Sequence, residues 1–261
     1  TSMVAALAAF YRRITVAHVE AGLRTGDIYS PWPEEMNRKI TGQLSSIHFA
    51  PTQNSKINLI NENITQDQIF VTGNTGIDSV LYIKNILCSN RRLENEVIAA
   101  IKKAGYPYHP DRKMILVTGH RRENHGVKIR NVFGALKSIA IENPDLDIVY
   151  PVHLNPKIKT PADKILGLVK NIYLIKPVDY LLMVKLMDIS YIILTDSGGI
   201  QEEAPSLGKP TLVLRDTTER PEALEAGLLK IVGTNHNKIV ESTNTLLRDK
   251  EIYNSMISEH N

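Results

Sequence analysis

The residues with most to offer chemically lie in one turn, Asp196-Ser197-Gly198-Gly199. An apolar run from Tyr191 to Thr195 stops at this turn, and Ile200-Gln201-Glu202-Glu203 after it reads as the start of a helix. Strand, glycine turn and helix in that order present backbone N–H groups at a helix N-terminus, a natural place for an anion. A phosphate group held over Ser197, Gly198 and Gly199 is the chemistry this order suggests. A plain strand-to-helix connection that uses glycine for its backbone freedom explains the same residues, and two glycines do not choose between the two readings.

Other polar residues follow apolar runs in the same way. His120 comes directly after an apolar run and stands beside Arg121 and Arg122. A histidine with two arginines suits a diphosphate, because a guanidinium offers a planar fork of donors to phosphate oxygens; a solvated basic turn is the bland alternative. Arg215 and Arg220 offer further cations. Glu203, about one turn into its helix, is better placed for a sugar hydroxyl than for a phosphate it would repel. Glu202 is explained by the helix dipole alone. In the first segment His18, Glu20 and Glu34 are the acid–base candidates, with Glu20 at the end of a β-branched run. Glu34 also has a structural reason to be there, since acids favour the first turn of a helix. No His/Glu spacing resembles a zinc site, and neither a Gly-x-Ser-x-Gly elbow nor a Walker-type phosphate loop is present.

The elements that must position these residues are legible as alternation. Strands are expected at 14–19, 47–50 and 69–72, and then at 114–118, 147–152, 172–175, 191–195, 211–214 and 230–232. Helices are expected at 1–13, from 33 onward, after 51, at 77–87 and 91–104, and then at 127–142, 162–169, 180–187, 200–207, 222–226 and 237–248. Strands that are apolar throughout and alternate with helices imply a parallel sheet covered on both faces. Ligands of such sheets bind outside the strand C-terminal ends, near a topological switch point. The turns after 118, 195 and 214 all lie on that rim. The expected division is a partial Rossmann-like domain over 1–73, bridging helices and a linker over 74–110, and a second Rossmann-like domain over 111–261. The first segment has too few strands for a complete doubly wound domain, so an open edge and uncovered apolar surface are expected there.

Composition sets outer bounds. The chain has 261 residues, 43% hydrophobic and 23% charged, with a formal net charge of +3. It reads as a soluble globular protein without a nucleic-acid surface, since no long basic run occurs. No apolar run approaches the ~20 residues that span a bilayer, and no secretory signal pattern is seen, so neither a membrane nor nucleic acid is an expected partner. The single cysteine, Cys88, excludes an internal disulfide framework and suits a reducing cytoplasm. No metal or other cofactor is expected.

Six ordered motifs resemble one family. They are His18-Val-Glu-Ala-Gly-Leu-Arg24, Pro31-Trp-Pro-Glu-Glu35 with Asn37-Arg38, Thr118-Gly-His-Arg-Arg-Glu123, Tyr150-Pro-Val-His-Leu-Asn-Pro156, Thr195-Asp-Ser-Gly-Gly-Ile-Gln-Glu-Glu203 and Arg215-Asp-Thr-Thr-Glu-Arg-Pro-Glu222. Nearly end to end, they resemble the bacterial non-hydrolysing UDP-N-acetylglucosamine 2-epimerases. The resemblance implies an α/β fold of two Rossmann-like domains facing a cleft, of GT-B type, with the N-terminal one incomplete. It implies interconversion of UDP-N-acetylglucosamine and UDP-N-acetylmannosamine, by elimination of UDP with loss of the C2 proton and re-addition with inversion at C2. Glu20 and Glu34 would then be catalytic carboxylates, and His120 would assist the departing UDP. Ser197, Gly198 and Gly199 would hold phosphate, Glu203 the ribose, and Arg220 the nucleotide. Arg121 and His153 would belong to a site for a second UDP-N-acetylglucosamine acting as activator. A homodimer is the expected assembly.

The family also has an opening Gly-Thr-Arg-Pro-Glu loop and a Gly-Asp-Thr segment carrying a third catalytic acid, and neither occurs in this sequence. The chain therefore reads as beginning partway through a domain. By itself it is expected to show no epimerisation unless a separate N-terminal piece completes the sheet. A UDP-binding remnant without catalysis, or a hydrolysing or modified-sugar epimerase, are the rival readings.

Overall fold

The computed structural model describes residues 1–119, 126–218 and 220–257. Its contacts divide the chain into two units, Thr1–Thr75 and Gly76–Asn261.

The first unit runs α1 (Ser2–Tyr11), β1 (Ala17–Val19), α2 (Glu34–Leu44), β2 (Ile47–Ala50), α3 (Gln53–Asn61), a short 3-10 turn (Gln66–Gln68) and β3 (Ile69–Val71). Its three strands form a parallel sheet in the order β1-β2-β3, with His18 beside His48 and His48 beside Ile69. Because side chains alternate across a strand, one face carries Ala50 and Ile69, which pack with Ala21 and Leu59 of α3 in a small core. The other carries Val19 and Phe70, 55% and 50% exposed. The expected uncovered apolar surface is therefore present. The chain leaves β1 through Gly22 at φ 91°, where a Cβ would lie 2.1 Å from the Ser55 carbonyl oxygen. Only glycine meets both the backbone angle and the close approach of α3. Thr52 caps α3, its hydroxyl accepting the Ser55 N–H at 3.1 Å.

The second unit continues with α4 (Thr75–Ser89), α5 (Arg91–Ala104), β4 (Lys113–Thr118), α6 (Val127–Glu142), β5 (Leu146–Pro151), α7 (Pro156–Leu166), β6 (Ile172–Ile175), α8 (Tyr180–Ile189), β7 (Ile192–Thr195), α9 (Ile200–Ser206), β8 (Thr211–Val213), α10 (Pro221–Glu225), β9 (Leu229–Ile231), α11 (His236–Arg248) and α12 (Lys250–Ser255). All strand pairs are parallel, in the order β6-β5-β4-β7-β8-β9. β4 shows why the strands read as unbroken apolar runs. Ile115 and Val117 pack with α6, α7 and α11 in one core, while Met114 and Leu116 pack with α4, α5 and α8 in another. Burying each such aliphatic side chain contributes roughly 1.5–3 kcal/mol.

The stretch 74–110, expected as bridging helices and a linker, falls within this second unit from Gly76 onward. α5 starts at Asn90, whose side chain accepts the Leu93 N–H at 3.1 Å, and ends at Gly105 in the left-handed region, φ 119°. The connector that follows is pinned to the sheet by Asp147, which is fully buried. Asp147 takes a hydrogen bond from the Tyr106 hydroxyl at 3.1 Å, meets His109 Nδ1 at 2.6 Å and pairs with Arg112 Nε at 2.9 Å. α7 begins six residues earlier than the sequence pattern suggests. Pro156 sits in its first turn behind an Asn155 cap, and Pro161 is accommodated inside the helix. A proline within a helix removes one hydrogen bond without forbidding the helix when tertiary packing holds it, and Ile158, Ala162 and Leu166 are all buried here. α12, capped by Asp249, has no counterpart in the expected element list.

Candidate functional site

The strand order sets the site. From β4 the chain builds outward to β6 at one edge, then returns to lay β7 against the other side of β4. The β4–β7 junction is the topological switch point, where neighbouring connections leave in opposite directions and open a crevice. Thr118 and Thr195 face each other across it, joined by a 2.7 Å hydroxyl–hydroxyl hydrogen bond despite being 77 residues apart. The Asp196 N–H donates to the Thr118 carbonyl at 3.1 Å. Gly119 and Asp196 thus emerge side by side. Tyr150 closes the group from below, its hydroxyl donating to the Gly119 carbonyl at 2.7 Å. Burial, with the Asp196 carboxylate nearby, pushes the Tyr150 phenol up, so it stays a donor.

The turn itself is held from within. The Ser197 N–H donates to Thr195 Oγ1 at 3.0 Å. Gly199 caps α9 with φ −65° and ψ −43°, and no side chain contributes to that cap. These angles suit any residue, and no described atom lies within 4 Å of where its Cβ would be. Backbone freedom therefore does not explain glycine at 199, whereas open space above a helix start does suit an approaching ligand.

Gln201, given no role on sequence grounds, is the tie between this turn and the loop after β8. It is fully buried. Its Nε2 donates to the Ser197 carbonyl at 3.2 Å, and its Oε1 accepts from Thr218 Oγ1 at 2.5 Å. Thr218 Oγ1 in turn accepts the Arg220 N–H at 3.1 Å. Arg220, 5% exposed, completes the loop through a 3.1 Å ion pair from Nη2 to Glu202 Oε2. Glu202, explained by the helix dipole in the sequence, thus has a second task. Arg215, where this loop leaves β8, is buried like Arg220, 2% exposed. Glu203 accepts a 3.0 Å hydrogen bond from the Tyr180 hydroxyl. Burial raises the Glu203 carboxyl above its ordinary value, the Tyr180 donor partly offsets this, and neighbouring Glu202 adds to it. Tyr180 itself is pushed up to about 12, by burial first and the Glu203 charge second.

Ser197, Gly198, Gly199, Glu203 and Arg220 are therefore brought together, with Gln201, Tyr180 and Thr218 as supports that the sequence did not single out. The only sequence signal for Gln201 was its place in a polar run where a helix interior should be apolar. His153 lies on the same rim after β5, exposed, its Nδ1 accepting the Asn155 N–H at 3.1 Å. His120 and Arg121 lie outside the described residues.

Glu20 and Glu34 belong to the first unit, and both are exposed. Glu20 sits at the exit of β1 with φ 63°, a left-handed angle that costs a non-glycine residue roughly 1 kcal/mol or more. Its neighbours enforce the angle: the Ala21 N–H donates to the Phe49 carbonyl at 3.0 Å, and Asn58 Nδ2 donates to the Gly22 carbonyl at 3.0 Å. Such an angle persists only where the surrounding structure holds it. Glu34 and Glu35 share the first turn of α2 but point apart. Glu35 is fully buried and accepts the N–H groups of Thr25 at 3.2 Å and Gly26 at 3.1 Å, fixing the loop before the helix. In β1, burial and then the charges of His48, Arg24 and Arg38 lower His18 to about 4, so it is neutral at physiological pH. Among the described residues no group of three His, Cys, Asp or Glu side chains is placed to hold a metal.

A parallel six-stranded sheet in Rossmann order, with its polar residues gathered at the switch point, defines a Rossmann-like α/β protein. Comparison with known proteins then narrows the class. The family model described as UDP-N-acetylglucosamine 2-epimerase matches residues 1–261. The UDP-N-acetylglucosamine 2-epimerase of Escherichia coli (strain K12) is 54% identical over 262 aligned positions, covering 100% of this chain and 68% of that protein. The Campylobacter jejuni enzyme of the same name is 51% identical, again over 100% of this chain and 68% of its own length. Among solved structures, the Neisseria meningitidis UDP-GlcNAc 2-epimerase bound to UDP-GlcNAc superposes with a TM-score of 0.94 at 48% identity, covering 99% of this chain and 68% of that one. The Methanocaldococcus jannaschii enzyme in complex with UDP-GlcNAc and UDP gives 0.81 at 36% identity, covering 99% and 69%. The chain belongs to the UDP-N-acetylglucosamine 2-epimerase family, and its fold is of the GT-B type shared with these structures.

Proposed function

We propose that this protein interconverts UDP-N-acetylglucosamine and UDP-N-acetylmannosamine. The observation that carries the reading is the switch-point turn. An open helix start at Ser197–Gly199, a buried Arg220 drawn beside it by Glu202, and a half-buried carboxylate at Glu203 form a set that suits a diphosphate with a ribose attached. The chemistry then needs two things: donors for the departing diphosphate, and carboxylates that take and return the C2 proton. His120 is assigned the first task, and Glu20 and Glu34 the second. Elimination breaks the C1–O bond as the C2 proton leaves, and UDP departs with the bonding pair. Re-addition returns UDP to C1 and a proton to the opposite face of C2. A second UDP-N-acetylglucosamine at Arg121 and His153 as activator, a homodimeric assembly and a cytoplasmic setting belong to the same reading. Among the described residues no helix is long and apolar enough to cross a membrane.

The test is deuterium uptake at C2 of UDP-N-acetylglucosamine in heavy water, followed together with the identity of the product. It is run on this chain and on a chimaera that adds the segments of the Escherichia coli relative it does not cover. We expect UDP binding by the chain, and label with UDP-N-acetylmannosamine from the chimaera. Glu20→Gln and Glu34→Gln each lower that exchange by roughly 10²–10⁴-fold. Full exchange in either variant, or free N-acetylmannosamine as the sole product, refutes the assignment.

A further inference from the structure

We propose that a cationic groove at the edge of the six-stranded sheet docks this protein peripherally on a bilayer surface carrying anionic headgroups. The groove, about 620 Å³, lies where β5 and β6 begin, and its lining includes Arg112, Lys137, Lys164 and Lys170 but no acid. Arg112 is turned inward, pairing with Asp147 and donating to the Pro144 carbonyl at 2.5 Å. The three lysines are exposed, and none of them makes an ion pair among the described residues. The acid nearest in α7, Asp163, is taken by Lys159 at 2.5 Å, and Glu142 accepts a hydrogen bond from Asn244 at 2.8 Å. The groove also carries two large apolar side chains held in water: Leu168, 96% exposed, and Ile141, 64% exposed.

Ammonium groups around protruding aliphatic side chains meet the chemistry of a headgroup–acyl boundary, where lysines face phosphate and the apolar tips enter the hydrocarbon. Lysine stems lie along apolar surface while their heads stay wet, which suits the same boundary. A free polyanion would use the lysines and leave Leu168 and Ile141 in water, so a bilayer is the occupant that accounts for both. The Asn171 Nδ2 is committed to the carbonyls of Ala140, Asn143 and Leu146 and offers the groove no donor. Position is consistent with activity on the bilayer. The groove sits at strand N-terminal ends, whereas Gly119 and Asp196 lie at the C-terminal ends of β4 and β7, so docking leaves that rim facing water. Sequence hid the patch. Its four cations come from three separate stretches, before β4, in α6, and in and just after α7, so there is no basic run to see, and the proposal departs from the expectation of no membrane partner.

The experiment is co-sedimentation of the full chain with vesicles of phosphatidylcholine alone or mixed with phosphatidylglycerol. We expect binding only to the mixed vesicles, weakening as salt is raised. Lys137→Gln/Lys164→Gln/Lys170→Gln should lower partitioning by roughly fivefold per lysine, about 100-fold in all. Leu168→Ser should lower it several-fold at unchanged charge, and Lys102→Gln/Lys103→Gln, on α5 outside the groove, should bind like the parent. All these positions are exposed, and melting curves confirm that each variant is folded. No binding to the mixed vesicles, equal binding to both kinds, an unaffected triple variant, a Leu168→Ser variant equal to the parent, or a Lys102/Lys103 variant that loses as much as the triple one would each overturn the proposal.

Discussion

Replacing Gln201 with methionine tests whether the nucleotide site depends on the tie beneath it. Methionine keeps the length and most of the volume of the buried side chain, so the change removes hydrogen bonds with little cavity. Two are lost, the donor to the Ser197 carbonyl and the acceptor for Thr218. At about 1 kcal/mol each, with both former partners only half-buried and open to water, the loss is about 2 kcal/mol. A domain of this size then melts roughly 4–8 °C lower. The turn and the Thr218–Arg220 loop are no longer held to one another, so a ligand that needs both must restore their register from its own binding energy. The ceiling on that cost is the same 2 kcal/mol, a loss of up to about 30-fold in UDP affinity. Titration calorimetry with UDP, beside thermal melts, reads both quantities. Gln201→Glu keeps the acceptor for Thr218 but loses the donor and adds negative charge under the turn. It should bind UDP more weakly still, with a stronger dependence on salt. UDP affinity within twofold of the parent in a folded Gln201→Met variant would refute the argument.

Two further outcomes follow from the same structure. Burial raises Glu203 above 4.5, so the folded state holds its proton more tightly than the unfolded chain; this contribution to stability is complete below 4.5 and is lost as pH rises through the raised value. A carboxylate that accepts a ribose hydroxyl strengthens over the same window, so UDP affinity should climb between pH 4.5 and neutrality. Tyr180→Phe removes the donor that holds Glu203 down and should shift this climb to higher pH in calorimetric titrations; an unmoved profile would show that the 3.0 Å contact does not set the titration. Gly22→Ala places a Cβ 2.1 Å from the Ser55 carbonyl at a φ of 91°, a combined cost of roughly 3 kcal/mol or more. The first unit should lose amide-exchange protection in β1 to β3, and a variant with native protection there would contradict the close approach of α3.

Much of the fold was legible because local pattern carries it. Strands buried on both faces are apolar at nearly every position, Asp147 in β5 being paired instead, so β4 through β8 stand out without alternation. α6 and α5 match their expected bounds because the apolar pattern of each agrees with the core it meets, and α5 adds the Asn90 cap. α7 starts ahead of its expected bounds because the packing of Ile158, Ala162 and Leu166 against α6 and β6 outweighs the prolines at 156 and 161. In the site, turn residues such as Gly199 and Glu203 were visible as chemistry out of place after a strand. Their supports were not. Gln201, Tyr180 and Thr218 act through partners brought close only by the packing of α8, α9 and the loop after β8.

The sequence by itself determined the alternation of strands and helices, the motifs at strand ends and the family they resemble, because each is written in neighbouring residues. Tertiary structure decided which strand ends meet. Only the order β6-β5-β4-β7-β8-β9 places Gly119 beside Asp196, and only the stacking of three separate stretches gathers Arg112, Lys137, Lys164 and Lys170 on one groove. The physical reason is common to both. Hydrophobic burial chooses how the layers pack without regard to the polar residues at their ends, and the polar sites are whatever that packing brings together.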